Sequence, residues 1–328
     1  MTVSRVINGG VNVRRTTREA VEKAIAELNY SPDMAARRLA GGGGIRIGLL
    51  YSNPSAAYLS EFLVGSLDEA QREGVHLIVE KCDPEQNEID ALKHLLASRI
   101  DGLILPPPLC NMRSILEFVR SQNIPAVAVA SGSAVDGLNS VSVEDFAAAR
   151  SMTAHLLALG HRRIGFIEGS PDQTASASRR DGYEAALNEA GVAVNPELIV
   201  PGLFTYRSGL EAAERLLALP EPPAAIFASN DDMAVAAVAV AHRKGLKVPQ
   251  ELSVCGFDDT SLATAIWPAL TTIRQPIAEM SSAALKLLTA EIVARQEGKP
   301  FEPTHLTLDF SLIRRETDAP YGQQARSE

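Results

Sequence analysis

Seven short apolar runs recur between Ile45 and Asp259: IRIGLLYS (45–52), VHLIVEKC (75–82), DGLILPP (101–107), IPAVAVAS (124–131), RIGFIEG (163–169), AAIFASN (224–230) and LSVCGFDD (252–259). They are continuous rather than alternating, as strands buried on both faces must be. Helix-like segments separate them, at about 59–73, 85–98, 111–122, 145–159, 176–190, 206–219 and 231–244. Strict alternation of this kind predicts an α/β fold of parallel sheets wound with right-handed crossovers. The pattern alone leaves open whether the strands form one large sheet or two smaller ones.

A chain of 328 residues is long enough for two or three compact units. Gly41–Gly44, four glycines in succession, marks a boundary, because such a run has no side chain to pack and maximal backbone freedom. Uncharged apolar stretches of membrane-spanning length are missing from the sequence, and MTVSRVINGG lacks the pattern of a signal peptide. Cys82, Cys110 and Cys255 are odd in number and far apart, which suits neither a disulfide framework nor a zinc site. These features point to a cytoplasmic protein.

The first forty residues read as helix only. Thr16-Thr17-Arg18-Glu19 is a capping box that starts a helix at Thr17, with Val21, Ile25 and Leu28 on one face and a stop at Asn29-Tyr30-Ser31-Pro32. Asp33 can cap a second, short helix over 34–40 that is too short to hold alone in water and is expected to fold on a partner. Arg5, Arg14, Arg15, Arg18, Lys23, Arg37 and Arg38 stand against four acidic residues there, whereas the whole chain carries a net charge of −9. A small basic module on an acidic body suits a polyanion-binding head. A chance cluster of solvated charges is the alternative.

Three segments carry a resemblance: Thr2-Val3-Ser4-Arg5-Val6-Ile7-Asn8; Leu28-Asn29-Tyr30-Ser31-Pro32 with Ala35-Ala36-Arg37-Arg38-Leu39-Ala40; and Ala228-Ser229-Asn230-Asp231-Asp232-Met233 with Val254-Cys255-Gly256-Phe257-Asp258-Asp259. In this order and spacing the chain resembles the lactose-repressor and galactose-repressor family of bacterial transcription regulators along essentially its whole length. The resemblance implies a recognition helix at the start, a hinge helix before the glycines, and a body similar to periplasmic sugar-binding proteins. Such a body has two parallel-sheet subdomains joined by three crossovers, which selects two sheets over one. The implied layout is a partial helix-turn-helix head, hinge helix and linker over 1–44, one subdomain over 45–144 plus about 275–303, the other over 145–274 plus about 304–318, and a tail over 319–328. Family members carry another helix and turn before the recognition helix, whereas this sequence opens inside it. DNA binding by the sequence as it stands is therefore expected to be weak, and a first helix upstream is expected to restore it.

On the head, Arg5 has the fork that suits guanine O6 and N7, and Thr2, Ser4 and Asn8 are short hydrogen-bonders that suit phosphate oxygens. A plain surface helix is the alternative. By resemblance, Leu39 with Ala36 wedges into the minor groove, although Leu39 read by itself would be an ordinary buried helix residue. In open parallel sheets ligands sit beyond the strand ends, which singles out Asn230 and Asp258. Arg179 matches the family's effector-gripping arginine, and the three groups could supply bidentate hydrogen bonds to neighbouring sugar hydroxyls. Tyr58 and Phe204 match family aromatics that line the pocket, with core packing as the alternative, and Gln173 precedes the helix of Arg179. Family aspartates near Ala130 and Ser131 have no match. His161, after a glycine C-cap, reads as a structural turn residue, and Asp231-Asp232 as carboxylates at the positive end of a helix.

The sequence has no nucleophile elbow, Walker loop, dinucleotide fingerprint or clustered metal ligands, so neither catalytic residues nor a cofactor or metal is expected. The function this implies is a ligand-responsive regulator, a repressor, binding operator DNA as a homodimer under a sugar or glycoside effector, without a membrane. A sugar-binding protein without DNA-binding activity is the alternative.

Overall fold

The computed structural model describes Arg14, Thr16, Thr17 and residues 44–82 and 87–322. Contacts divide the chain into two units, Met1–Gly44 and Ile45–Glu328. In the first, Thr16 and Thr17 are both helical and the Thr17 N–H donates to the Arg14 carbonyl at 3.0 Å. Thr16 is thus inside the helix rather than capping it. Thr2, Ser4, Arg5, Asn8, Ala36 and Leu39, with the expected hinge helix, lie outside the described residues.

The second unit holds two six-stranded sheets. The first has β1 (Arg46–Tyr51), β2 (His76–Lys81), β3 (Gly102–Leu105), β4 (Ala126–Val129), β5 (Asn139–Val143) and β11 (His305–Leu308), in the order β11-β5-β4-β3-β1-β2. All its pairings are parallel. The second has β6 (Ile164–Ile167), β7 (Ile199–Val200), β8 (Ala225–Ala228), β9 (Ser253–Asp258), β10 (Thr271–Arg274) and β12 (Ser311–Ile313), in the order β12-β10-β9-β8-β6-β7. Only β12 runs antiparallel to its neighbour.

Helices cover both faces of each sheet, which is why the central strands are buried along their length. On the first sheet these are α1 (Ala56–Glu73), α2 (Glu88–Ala97), α3 (Arg113–Ser121) and, late in the chain, α9 (Ile277–Gln296). On the second they are α4 (Asp145–Ala158), α5 (Thr174–Glu189), α6 (Tyr206–Leu217) and α7 (Asp231–Arg243), with the short α8 (Leu262–Ala265) beside α7. Local signals set the starts: Ser55 accepts from the Tyr58 N–H, Thr205 and Ser208 form a capping box, and Asn230 accepts from the Met233 N–H. At the crossing of α1 and α9, Gly65 is required, because a Cβ there would stand 2.0 Å from the Ala278 carbonyl oxygen.

The chain passes between the sheets three times: after β5 at Glu144, after β10 at Gln275, and between β11 and β12 at Asp309–Phe310. The third passage corrects the sequence boundary near residue 303. His305–Leu308 pairs with Ser140–Val143 in the first sheet, so that subdomain extends through Leu308. Its hydrogen bonds decide this: Ser140 Oγ meets His305 Nδ1 at 2.8 Å, and the Thr304 N–H donates to Asn139 Oδ1 at 2.9 Å.

Candidate effector cleft

The carboxyl ends of the strands of both sheets face one cleft of about 430 Å³, including its open mouth. The first sheet contributes Asn53, Pro54 and Ser55 after β1, Pro107 after β3, and Ala130 after β4, with Tyr58 from α1. The second contributes Asn230 after β8, Asp258 at the end of β9, Phe204 before α6, and Gln173, Ala175 and Arg179 from the start of α5. Gln275, on the second passage between the sheets, completes the wall. All six sequence-selected residues of the body, Tyr58, Gln173, Arg179, Phe204, Asn230 and Asp258, thus line one space.

Arg179 is nine-tenths buried or more and already committed. Its Nε donates to Asp145 Oδ1 at 2.7 Å, its Nη1 to the Ser229 carbonyl at 2.5 Å, and its guanidinium lies 3.5 Å from the centre of the Phe257 ring. Asp258 Oδ1 stands 3.9 Å from the same Nη1 and accepts from Gln275 Nε2 at 2.6 Å. Protein groups thus already take the Nε–H and an Nη1–H of Arg179, and a ligand can draw only on the N–H groups that remain. Burial pushes the Asp258 carboxyl well above the usual carboxylate range, against the pull of Arg179. Burial raises Asp145 as well, with Arg179 lowering it in turn.

Asn230 caps α7: its Oδ1 accepts from the Met233 N–H at 3.0 Å and its Nδ2 donates to the Phe204 carbonyl at 3.1 Å. It holds the Phe204 turn as well as facing the cleft. Three lining residues have left-handed backbone: Ala130 (φ 53°), Phe204 (φ 57°) and Asp258 (φ 118°). The following Asp259 is left-handed too (φ 58°), and its side chain pairs with Arg274 at 2.7 Å and Arg315 at 2.6 Å. Such sparsely populated conformations persist where the surroundings over-determine them, and they gather at ligand sites.

Two buried polar atoms of the wall, Tyr58 Oη and Gln275 Oε1, have no hydrogen-bond partner. Leaving one such group unpaired costs about 1–3 kcal/mol, so both are suited to a polar molecule in the cleft. Burial is also the main reason the Tyr58 hydroxyl is pushed far above the usual phenol range.

Sequence reasoning missed Asp145, Ser229 and Gln275, and also the contacts that bridge the two sheets' subdomains. Ser55 Oγ donates to Asp232 Oδ2 at 2.6 Å. Asn111 Nδ2 donates to Thr174 Oγ1 at 2.9 Å and to the Ser131 carbonyl at 3.1 Å, and Thr174 Oγ1 donates to that carbonyl too. The acidic pair does more than favour a helix dipole. Asp231 is fully buried and accepts from the Thr260 N–H at 2.7 Å and from Thr272 Oγ1 at 2.6 Å, while burial pushes its carboxyl up to about 7. Position directly after a strand would have flagged Gln275, which follows TTIR; Asp145 carries only the signature of a helix start. His161 sits buried in its turn with Nε2 3.0 Å from the Ala319 carbonyl, remote from the cleft lining. Among the described residues, no group of three or more His, Cys, Asp or Glu is placed to hold a metal ion, and no helix is long and apolar enough to cross a membrane.

Residues 1–33 match the model of bacterial regulatory proteins, lacI family, and residues 153–317 match that of a periplasmic binding protein-like domain. The catabolite control protein A of Priestia megaterium is 34% identical over 290 residues, 88% of this chain and 87% of the relative. Among solved structures, the complex of the transcriptional regulator CelR with cellobiose is similar with a TM-score of 0.76 at 30% identity, covering 96% of this chain and 95% of its own. The lac repressor dimer bound to operator and the anti-inducer ONPF is similar with a TM-score of 0.81 at 28% identity, covering 97% and 94%.

Proposed function

Given that the chain belongs to the lacI family of bacterial regulatory proteins, we propose that it is a ligand-responsive transcriptional repressor that binds operator DNA as a homodimer and takes a small sugar-like effector in the cleft. The observation that carries the effector site is the pair of buried, unpartnered polar atoms, Tyr58 Oη and Gln275 Oε1, beside Arg179 and Asp258 in a space between two subdomains. Tyr58, Gln173, Arg179, Phe204, Asn230 and Asp258 are its effector-binding residues, with Gln275 added. The aromatic rings offer faces to the apolar side of a sugar, and the amides and carboxylate offer hydrogen bonds to its hydroxyls. The cellobiose complex of the similar regulator CelR supports the ligand class.

Effector can change DNA affinity only through different affinity for two subdomain arrangements, and DNA must change effector affinity by the same factor. The bonds from Ser55 to Asp232 and from Asn111 to Thr174 belong to the arrangement described above, so opening the cleft must break them. Exposed apolar side chains support a second copy as partner: Val64 and Leu67 on α1 are 51% and 55% exposed, and Trp267 is 81% exposed. Thr2, Ser4, Arg5, Asn8, Ala36 and Leu39 are the proposed DNA contacts. The relatives' names as regulators support binding without catalysis, and a DNA-binding role places the protein in the cytoplasm.

Selection from a pool of randomised DNA, by the chain with a first helix added upstream, tests the reading. A symmetric consensus is expected, whose retention changes when a sugar is added, and Arg5→Ala should relax base preference at a cost of about 1–3 kcal/mol. Failure to enrich any site, or enrichment that no small molecule alters, would refute it.

A further inference from the structure

Resting on the reading of the cleft as a sugar site, we infer that it selects uncharged, hydroxyl-rich molecules and rejects their phosphorylated and carboxylated counterparts, with Asp145, Asp258 and Asp232 setting that selectivity. Positive charge in the cleft is already committed within the protein. Among the described lining residues Arg179 is the sole cation, and it faces two carboxylates, Asp145 at 2.7 Å and Asp258 at 3.9 Å. A phosphate or carboxylate entering beside it would meet a guanidinium whose charge is balanced, and would stand next to a buried carboxyl. Like charges brought together out of water repel strongly.

Helix N-termini are the other source of positive potential, and they are common seats for anions. The N-termini of α1 and α7 meet at the cleft on one side chain: Asp232, in the first turn of α7, accepts at 2.6 Å from Ser55, the N-cap of α1. The protein thus supplies from within the anion that two helix ends favour. The first turn of α5 is closed off differently. The Ala175 N–H abuts Gly132, where a Cβ would come within 2.7 Å of the nitrogen, and Thr174 Oγ1 is bound to the Ser131 carbonyl. A hydroxyl group has no such difficulty. It can accept from the remaining N–H of Arg179 and donate to Gln275 Oε1, whose partner is missing.

Calorimetric titration of the full chain with matched sets tests this: glucose with glucose 6-phosphate and glucuronate, galactose with galacturonate, ribose with ribose 5-phosphate, and cellobiose with cellobionate. In any set with a binder, the acidic member should bind at least tenfold more weakly than its neutral parent. Asp232→Asn keeps an oxygen to accept from Ser55 while removing the charge, and it should narrow that gap by tenfold or more. An acidic member within tenfold of its neutral parent overturns the inference, as does an Asp232→Asn protein with an unchanged gap. If neither neutral nor acidic members bind at all, the sugar reading itself falls, and the selectivity falls with it.

Discussion

Replacing Arg179 by Met keeps the length and apolar stem of the side chain and removes its charge. Three contacts go at once: the 2.7 Å bond to Asp145, the 2.5 Å bond to the Ser229 carbonyl and the stack on Phe257 at 3.5 Å. What remains is a buried Asp145 carboxyl, 3% exposed, without a cation. Removing one partner of a buried ion pair costs about 3–5 kcal/mol, far more than the pair's net worth, because the other charge is stranded. Arg179 thus holds the fold at the cleft as well as facing it. The cost also depends on pH. Burial already raises Asp145, and the variant lacks the guanidinium that pulls it back. A carboxyl whose folded pKa lies above its unfolded value near 4 is penalised as pH rises, so the cost should be smaller at pH 5.5 than at pH 8. Urea unfolding at both values is the assay, and with a slope of about 3 kcal/mol per M the midpoint at pH 8 should fall by roughly 1–1.7 M. Adding Asp145→Asn to Arg179→Met should recover about 2 kcal/mol or more. A single-variant cost under about 1 kcal/mol at pH 8, or a double-variant cost equal to the sum of the singles, would refute the stranded-charge account.

Four further outcomes are expected. Tyr58→Phe removes a hydroxyl that has no partner, so the ligand-free melting temperature should hold or rise while effector affinity falls; a marked loss of thermal stability would show that the hydroxyl is bonded after all. In Gly169→Ala the new Cβ would stand 1.9 Å from Cζ of Phe204, so the ring must move in the cleft wall; calorimetry should show effector affinity lost beyond the stability cost of about 1–3 kcal/mol. Gly65→Ala meets backbone rather than a movable side chain at the α1–α9 crossing, and urea unfolding should show a loss of about 3 kcal/mol. Asp231, pushed up to about 7 from an unfolded value near 4, penalises the fold increasingly from about pH 4 to pH 7; melting temperature should therefore decline over that span, and Asp231→Asn should flatten the decline.

Most strands legible in the sequence have both faces covered by helices; VHLIVEKC is the exception, since β2 lies at the sheet edge with none of its residues fully buried, against the expectation of burial on both faces. IGLL, LIL, AVAV, IGFI and AIFA carry their burial in their composition. NSVSV of β5 escapes that test because two of its four buried positions are polar: Asn139 is satisfied by Glu291 and Thr304, and Ser140 by His305. The edge strands β11 and β12 are short and half-exposed, and partners from distant sequence specify them. In the cleft, single residues at strand ends could be read, as Asp258 and Asn230 were. What holds them could not, since Asp145 lies 34 residues from Arg179 and Asp232 lies 177 from Ser55. A pairwise commitment of that kind leaves no local trace.

Three passages of chain join the two sheets, and the last is only Asp309 and Phe310 between Leu308 and Ser311. A single linker would act as a tether, free to swivel and slide. Three side by side behave as the knuckles of a door hinge: they permit rotation about one line and oppose shear and separation. Neither half can be cut free at one site, and neither can be assembled from one continuous stretch of gene. A domain-exchange experiment that swaps one subdomain between relatives would have to move residues from after Gln275 together with those before Glu144, or leave the first sheet without β11 and α9.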